Sequence, residues 1–390
     1  MRIGSRPISR KRVLTAASIL AVTECALFIF LAAGAHGLIV PLDQPNSTDF
    51  VSFHAAGALA NAGTPWLAYD RLAHHAAQQA ASGIGVPYNY FYYPPVFLLL
   101  CSPLARLPYL VSFVVFQALS GVACLAALRL ARRDLPLIIY LAFPGFWWAI
   151  GTGQNALLTA ALFTAGLAWI DRRPLLAGLC FGALCYKPHF GLLIPVALIA
   201  GSHGRAMIGA VISVLSLTAA SVAVFGLATW QAFFTAAANA AHVYAAEAIF
   251  MHGLTSPYGV LMVLGVGREA AVIAQIGVIM AAAAIVAWTW RANRAPLPVR
   301  AAILLAATPI AVPVMMFYDL MLVFAALVWL SKSPNRPIVL MTAVFLGPLL
   351  SGNLSIDGGL MVAAITAAAA FALALGQCFP QPAHALTAAA

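Results

Sequence analysis

Charged residues are the scarcest class in this chain of 390 residues. Asp and Glu together number only 10, and charged residues of both signs make up 8% of the chain, against 63% hydrophobic residues. A soluble globular domain is about half apolar and about a quarter charged. Since so many apolar side chains cannot be buried in one water-soluble core, part of the surface must face lipid. The composition therefore predicts a polytopic integral membrane protein.

Several common catalytic signatures are also missing. The chain contains no G-x-x-x-x-G-K-[ST], H-E-x-x-H or G-x-S-x-G pattern, which leaves nucleotide hydrolysis, zinc proteolysis and hydrolase-elbow chemistry without support. The Asp-x-Asp metal motif of nucleotide-sugar enzymes is absent as well. The 6 cysteines form no C-x-x-C pair and lie within or at the ends of apolar segments. We therefore predict no metal site, no cofactor and no disulfide framework.

The positive charge has a distribution that argues for membrane anchoring. The net charge of +10 comes mostly from Arg and Lys residues in short clusters between apolar runs. Such clusters are typical of cytoplasmic loops beside membrane helices, whereas a nucleic-acid-binding patch would lie on a soluble domain. We therefore expect no nucleic-acid partner, and a plasma (inner) membrane location with a cytoplasmic N-terminus. The first apolar run, 14–39, is too long for a signal peptide and is interpreted as a retained helix.

Apolar runs of helical length recur through the chain and predict an all-α fold with about twelve transmembrane helices. Two further runs, 94–106 and 254–266, are short and bounded by Pro or Gly, so we interpret them as half-helices on the outer side. No internal repeat is evident, which predicts a single membrane domain over 1–377 and a disordered tail over 378–390. The predicted spans are 14–39, 108–129, 134–150, 155–170, 174–187, 190–202, 206–226, 269–290, 300–313, 319–331, 337–351 and 358–377.

The loops that this topology leaves outside hold most of the polar residues that are not basic. The longest of these loops are 40–93 and 227–256. Glu247 and His252 in the second loop are either solvated loop residues or part of a gate. We therefore expect the functional site on the outer, periplasmic face.

The first outer loop contains a candidate general base. Ser47-Thr48-Asp49 has the pattern of a helix N-cap, and the following residues predict a short amphipathic helix on the membrane surface that ends at Gly63-Thr64-Pro65. Asp49 is either a helix cap or a base whose pKa partial desolvation would raise. The two roles are compatible, because a cap would hold the base in place.

Three further groups carry ionisable or amide side chains in apolar surroundings. Lys187 lies in the hairpin YKPHFG beside His189, and it either snorkels to the interface or binds a phosphate. Gln154 and Asn155 in GTGQN either bond neighbouring helices or bind ligand hydroxyls. Asp319 in FYDL is either a helix cap or a ligand contact.

The first outer loop ends in an aromatic run. Tyr69 and Asp70 are followed by YNYFYYPP at 88–95, which includes Tyr93. Interfacial tyrosines commonly form a membrane belt. The alternative is a rigid wall whose ring faces stack on sugars or line the entrance for a lipid chain.

These motifs together resemble glycosyltransferase family 87, which includes polyprenyl-phosphate-mannose-dependent mannosyltransferases. The resemblance runs from about residue 47 to 331 and depends on the order of the motifs and on the topology. The motifs are the acid at Asp49, YD (69–70), YYPP (92–95), GQN (153–155), AG-x-x-x-G-x-L-x-YKP (177–188) and YDL (318–320).

The resemblance implies a glycosyltransferase-C fold with short surface helices in the first outer loop and an active site at the outer leaflet. The donor would be a polyprenyl-phosphate hexose, with mannose as the first expectation, and the acceptor a lipid or glycan. Asp49 would be the base of an inverting transfer, and Lys187 would stabilise the leaving phosphate with help from His189 and Tyr93. His189 departs from the Gln that relatives often carry after the KP. The other substrate-binding candidates are Tyr69, Asp70, Gln154, Asn155 and Asp319, of which the last three would orient sugar hydroxyls.

A polytopic transporter or lipid-linked-sugar flippase is the alternative from another class. Transporters usually place ionisable groups near the membrane midplane, often within internal repeats. Here the acids gather on one face, which favours the enzyme. A third possibility is a catalytically inert assembly partner, and the sequence does not define the oligomeric state.

Overall fold

Helices form all the regular secondary structure in the residues that the computed structural model describes, which are 9–34, 49–83, 87–247, 254–333, 337–351 and 356–379. Within these ranges there is no β-strand, and one isolated antiparallel bridge joins Leu254 to Met316. The predicted all-α class is therefore confirmed. The α-helices, in chain order, are α1 (Arg10–Gly34), α2 (Phe50–Asn61), α3 (Arg71–Ser82), α4 (Leu98–Leu104), α5 (Tyr109–Ala131), α6 (Leu137–Leu141), α7 (Pro144–Gly151), α8 (Ala156–Trp169), α9 (Pro174–Ala183), α10 (Ile194–Ala200), α11 (Gly204–Phe225), α12 (Leu227–Glu247), α13 (Pro257–Val263), α14 (Arg268–Trp290), α15 (Leu297–Ala311), α16 (Met321–Leu330), α17 (Ile338–Ser351) and α18 (Ile356–Gly376).

Within the described residues, four helices are long and apolar enough to cross a membrane, and these are α1, α5, α11 and α14. Their surfaces carry large apolar side chains that the protein leaves uncovered, such as Ile19, Leu215 and Ile273, which are 65%, 63% and 70% exposed. Lipid is the solvent that accommodates such surfaces. The structure thus supports a membrane protein, while the expected twelve crossings stay a prediction.

The core of the protein is built on α15 and α16. All ten residues of α16 are buried, and α15 is buried from Val299 to Ala311. The two helices pack against each other, and α16 also contacts α5, α8 and α18. A helix that is apolar all round is stable only where protein or lipid surrounds it. Since α15 and α16 are surrounded by protein, they form a rigid centre on which the neighbouring helices are positioned.

Helix α9 packs closely against α11 through small residues. A Cβ atom on Gly178 would collide with the carbonyl oxygen of Ala206. Glycine at this position allows the two backbones to approach, as is common between membrane helices. The AG-x-x-x-G part of the motif at 177–188 therefore has a packing role, and it fixes the position of the YKP turn that follows α9.

Two expected short elements are confirmed as short. The run 94–106 folds into a 3₁₀ turn, Pro95–Phe97, followed by α4, and the run 254–266 contains only the seven-residue helix α13. Their expected position on the outer side stays a prediction.

Three expectations about single segments are wrong. The run 134–150 is two helices, α6 and α7, because Pro144 begins a new helix after a break at Phe143. The segment 227–256 was expected to be a loop, yet it contains the 21-residue helix α12. The first eight residues of α2 are buried, so α2 lacks the exposed face of a surface helix. The side chain of Glu247, His252 and the tail from 380 lie outside the described residues.

Candidate active site

Asp49 immediately precedes α2, but its carboxylate does not cap that helix. The side chain makes no capping hydrogen bond to the backbone of α2. Instead, the Asp49 backbone N–H donates to the Thr152 carbonyl oxygen at 2.9 Å, and Gln154 Nε2 donates to Asp49 Oδ2 at 2.7 Å. The expectation that a cap holds Asp49 in place is therefore wrong, because the turn between α7 and α8 holds it.

The turn between α7 and α8 positions Gln154 through its backbone. Gly153 adopts φ +68°, a conformation that glycine reaches without steric cost. The Gly153 N–H donates to the Ile150 carbonyl oxygen and the Gln154 N–H to that of Ala149. Gln117 on α5 then donates from Nε2 to the Gln154 carbonyl oxygen at 3.1 Å. Backbone and side chain of Gln154 are thus both fixed, which orients its amide toward Asp49.

Tyr93 continues this hydrogen-bonded chain. Its hydroxyl donates to Gln154 Oε1 at 3.1 Å, while its carbonyl oxygen accepts from the Tyr69 hydroxyl at 2.8 Å. Tyr69 therefore supports Tyr93, and Tyr93 supports the amide that contacts Asp49. The sequence motifs YD, YYPP and GQN meet at this one place.

Lys187 and Asp319 form a buried ion pair. Lys187 Nζ lies 3.1 Å from Asp319 Oδ1 and 3.4 Å from Oδ2, and the two side chains are only 4% and 3% exposed. The ammonium also lies 4.9 Å from the ring centroid of Phe190 and 5.5 Å from that of Tyr318. Lys187 does not snorkel, and the Asp319 carboxylate does not cap α16. The hairpin YKPHFG and the turn FYDL are thereby joined.

The ion pair and the hydrogen-bonded chain lie within electrostatic reach of each other. Burial raises the pKa of Asp49, and the Gln154 hydrogen bond and the Lys187 charge oppose that rise. Burial also raises the pKa of Tyr93, and both Asp319 and Asp49 add to that increase. A partly desolvated carboxylate, a phenol and an ammonium group therefore share one site.

Asn155 is the unsatisfied member of the site. Its side chain is completely buried, and neither amide atom has a hydrogen-bond partner in the described part of the chain. It lies next to Tyr93, whose pKa it lowers against the larger effect of burial. Buried amides normally find partners within the protein or in ordered water. Asn155 therefore has unused hydrogen-bonding capacity beside the Tyr93 hydroxyl.

The structure gives the two remaining candidates different surroundings. Asp70 caps α3, because its Oδ1 accepts from the Ala73 N–H at 2.8 Å. His189 lies exposed on the 3₁₀ turn Pro188–Gly191, two residues after Lys187, with its ring against Phe190. Their assignment to substrate binding stays a prediction.

Sequence reasoning missed several residues that hold the site together. Gln117 contacts Gln154, and Tyr186 shares a 2.8 Å hydrogen bond with Thr159 on α8. Tyr186 also stacks on Phe97, whose ring stacks on Tyr93. Gln117 gave a signal, since it is a lone amide within an otherwise apolar span. Tyr186 belongs to the YKP motif, but the motif did not indicate that Tyr186 packs against Phe97 and α8.

The arrangement suits base catalysis and anion binding. No group of three or more His, Cys, Asp or Glu in the described ranges is placed to hold a metal ion. The Asp49 carboxylate can accept a proton, and the Lys187 charge acts on it electrostatically. A nucleophilic oxygen could lose its proton to Asp49 while an anionic leaving group contacts Lys187.

Comparison with known proteins identifies one family. The model of glycosyltransferase family 87 matches residues 91–316, which is more than half of the chain and includes the YYPP, GQN and YKP motifs. Asp49 and Asp319 lie outside the matched range. No significant match is found among curated proteins or among solved structures.

Proposed function

Because the chain belongs to glycosyltransferase family 87, a family of membrane glycosyltransferases, we propose that it moves a hexose from a polyprenyl-phosphate donor to a lipid or glycan acceptor. Mannose is the first candidate sugar. The transfer is inverting and takes place at the outer, periplasmic face of the inner membrane. The observation that carries this proposal is the Asp49–Gln154 hydrogen bond beside the Lys187–Asp319 ion pair.

Asp49 is the general base in this mechanism. It takes the proton of an acceptor hydroxyl as that oxygen attacks the anomeric carbon. Burial favours this role, since a raised pKa brings the carboxylate closer to the proton affinity that base catalysis needs. The Gln154 hydrogen bond is made to Oδ2, and no described residue donates a hydrogen bond to Oδ1, so Oδ1 receives the proton.

Lys187 stabilises the leaving group. As the new carbon–oxygen bond forms, the bond between the anomeric carbon and the phosphate oxygen breaks, and polyprenyl phosphate departs with the bonding electrons. The ammonium group offers a compact positive charge to that phosphate. One direct displacement of this kind inverts the anomeric centre. Tyr93 and His189 assist Lys187 at the phosphate, and Gln154, Asn155 and Asp319 orient sugar hydroxyls.

The decisive experiment measures sugar transfer by the purified full chain in nanodiscs. Synthetic polyprenyl-phosphate hexoses with labelled mannose, glucose or galactose serve as donors, and total membrane lipid serves as acceptor. We expect labelled lipid or glycan with the wild type and a loss of about 10²–10⁴-fold with Asp49→Asn, the range for removing a general base.

Glu269→Gln is the matched control, because Glu269 is an exposed acid at the start of α14. This variant should retain transfer. Full activity of Asp49→Asn would exclude Asp49 as the base. Movement of intact lipid-linked sugar across proteoliposomes without any transfer product would support the flippase alternative and contradict the proposal.

A further inference from the structure

A polar cavity lies at the end of α8 that is remote from Asn155. It has a volume of about 690 Å³ and is lined by the ends of α5, α8 and α16 and by the beginning of α15. Helix α8 starts beside Asn155 and runs 14 residues to Trp169, a rise of about 21 Å. The cavity is therefore separate from the site at Asp49. Its basic lining residues are Arg132, Arg133, Arg172 and Lys332.

The acids in this cavity already have partners. Asp134 pairs with Arg132 at 3.0 Å, and Asp171 lies 3.5 Å from Arg300 on α15. Arg132 also donates to the Ser331 hydroxyl. The two carboxylates are thus neutralised by residues other than the remaining three cations.

Three cations remain without an acidic partner among the described residues. Arg133, Arg172 and Lys332 are exposed, and they project from three different segments of the chain. The Lys332 ammonium lies 5.2 Å from the ring centroid of Trp329, whose Nε1 is buried and has no hydrogen-bond partner in the described part of the chain. Three cations of independent origin around one polar cavity form an arrangement suited to a phosphate group.

Two leucines also line the cavity. Leu130 is 46% exposed on the last turn of α5, and Leu297 lies on the first turn of α15. A free phosphate makes no favourable contact with these apolar side chains, whereas the acyl chains of a lipid pack against them. Basic pockets between membrane helices bind anionic head groups. We propose that this cavity binds the phosphate head group of an anionic phospholipid.

The test uses the purified full chain in nanodiscs of phosphatidylcholine with increasing phosphatidylglycerol. Native mass spectrometry counts retained phosphatidylglycerol, and thermal unfolding reports its binding. We expect the apparent affinity to fall about fivefold for each single variant, Arg133→Gln, Arg172→Gln or Lys332→Gln, and about 100-fold for the triple variant. The single variants keep the test valid if the triple variant does not fold.

A charge-matched control separates the site from general surface attraction. Arg205→Gln, Arg291→Gln and Arg294→Gln together remove three exposed cations that do not line the cavity. This control should retain phosphatidylglycerol as the wild type does. An equal loss in both triple variants would overturn the proposal, as would no loss in either. A rise in unfolding temperature with inorganic phosphate alone in phosphatidylcholine would overturn the lipid assignment.

Discussion

Lys187 and Asp319 lie on segments 132 residues apart in the sequence, yet their charged atoms are 3.1 Å apart and almost completely buried. Such a pair stabilises the fold only while both partners are present, because removal of one leaves an uncompensated buried charge. In the proposed function, Lys187 of this pair also contacts the phosphate of the donor. Its two functions can be separated by mutation.

Removal of Asp319 alone should destabilise the protein more than removal of the whole pair. We expect Asp319→Leu to lower the free energy of unfolding by about 3–5 kcal/mol, since Lys187 is left buried and unpaired. The double variant with Lys187→Met should recover most of that loss. Thermal unfolding in detergent of the wild type, Asp319→Leu, Lys187→Met and the double variant measures the coupling free energy between the two side chains.

Activity should not follow stability in this cycle. If Lys187 stabilises the leaving phosphate, the double variant stays inactive although it is well folded. Recovery of transfer in the double variant would contradict that role for Lys187.

The rate of transfer should fall on acidification, and the midpoint of this acid limb should lie above about pH 3.9, the ordinary pKa of an aspartate. Burial raises the pKa of Asp49, so the carboxylate is protonated, and the base lost, at a higher pH than for an exposed aspartate. The Gln154 hydrogen bond lowers the pKa of Asp49, so Gln154→Leu should move the limb further upward. The profile of kcat/KM against pH measures both shifts.

Gln231→Leu provides the comparison for that experiment, because Gln231 is an exposed amide on α12. Its profile should coincide with the wild type. A limb that moves downward in Gln154→Leu would show that the amide does not stabilise the Asp49 carboxylate.

His74 should make the first loop sensitive to acid. It is fully buried in α3, its Nε2 contacts the Ser52 carbonyl oxygen at 3.0 Å, and burial lowers the pKa of His74 to about 4. Between about pH 6.5 and 4 the unfolded chain binds a proton that the folded chain does not, so stability falls on acidification. From pH 7 to 5 the loss is about 2 kcal/mol.

Thermal unfolding of the purified chain across this pH range measures the effect of His74. His74→Gln should flatten the dependence of unfolding temperature on pH, while His75→Gln, at the adjacent and less buried position, should retain it. Equal slopes for wild type and His74→Gln would contradict the assignment.

Asn155 should matter for activity more than for stability. Asn155→Ala removes a buried amide that is not satisfied within the described residues, and this gain offsets the packing that is lost, so we expect the free energy of unfolding to change by no more than about 2 kcal/mol. Loss of a contact to a sugar hydroxyl should raise KM or lower kcat at least about tenfold. Steady-state kinetics and thermal unfolding together separate the two effects.

Asn61→Ala is the control for Asn155→Ala, because it should change stability and leave activity unchanged. Asn61 donates to the Ser102 carbonyl oxygen at 2.9 Å and accepts from its hydroxyl at 2.7 Å. This variant should lose stability and retain transfer. Unchanged kcat and KM in Asn155→Ala would contradict the proposal that Asn155 binds substrate.

The sequence predicted the long membrane helices well, because α5, α11 and α14 are continuous apolar runs with charges at their ends. It failed where local composition was ambiguous. Helix α12 carries small and polar residues, a composition that is typical of a loop. The break at Phe143 is caused by Pro144, which lies within an apolar run that predicts a single helix.

Residue types in the site were predictable, but their partners were not. Lys187 and Asp319 were each conspicuous as charges in apolar surroundings, yet nothing local indicated that they pair. The cap pattern at Asp49 was misleading for a related reason, since Gln154 lies 105 residues away and competes for the carboxylate. Periodicity and spacing describe one segment at a time, whereas these contacts depend on how helices pack.

The aromatic run shows the same limit. Tyr90 and Tyr92 stack in parallel with ring centroids 5.3 Å apart, whereas Phe91 is buried and Tyr93 bonds to Gln154. An extended backbone sends alternate side chains to opposite sides. One run of tyrosines therefore contributes both to the site and to a separate surface.

The unequal lengths of neighbouring helices explain why the chemistry resides in turns. The 14 residues of α8 rise about 21 Å, whereas the 23 of α5, against which it packs, rise about 35 Å. Gln117 of α5 contacts Gln154 just before α8, so the beginning of α5 extends past α8 and packs against Phe50 of α2. The turn 152–155 lies at this step, and membrane proteins tolerate such irregular backbone only where protein or a water-filled cavity surrounds it. Extending α8 by one turn at its beginning would restore regular helix there and erase Gln154 and Asn155 as binding groups, so a shortened helix is the architectural condition for this site.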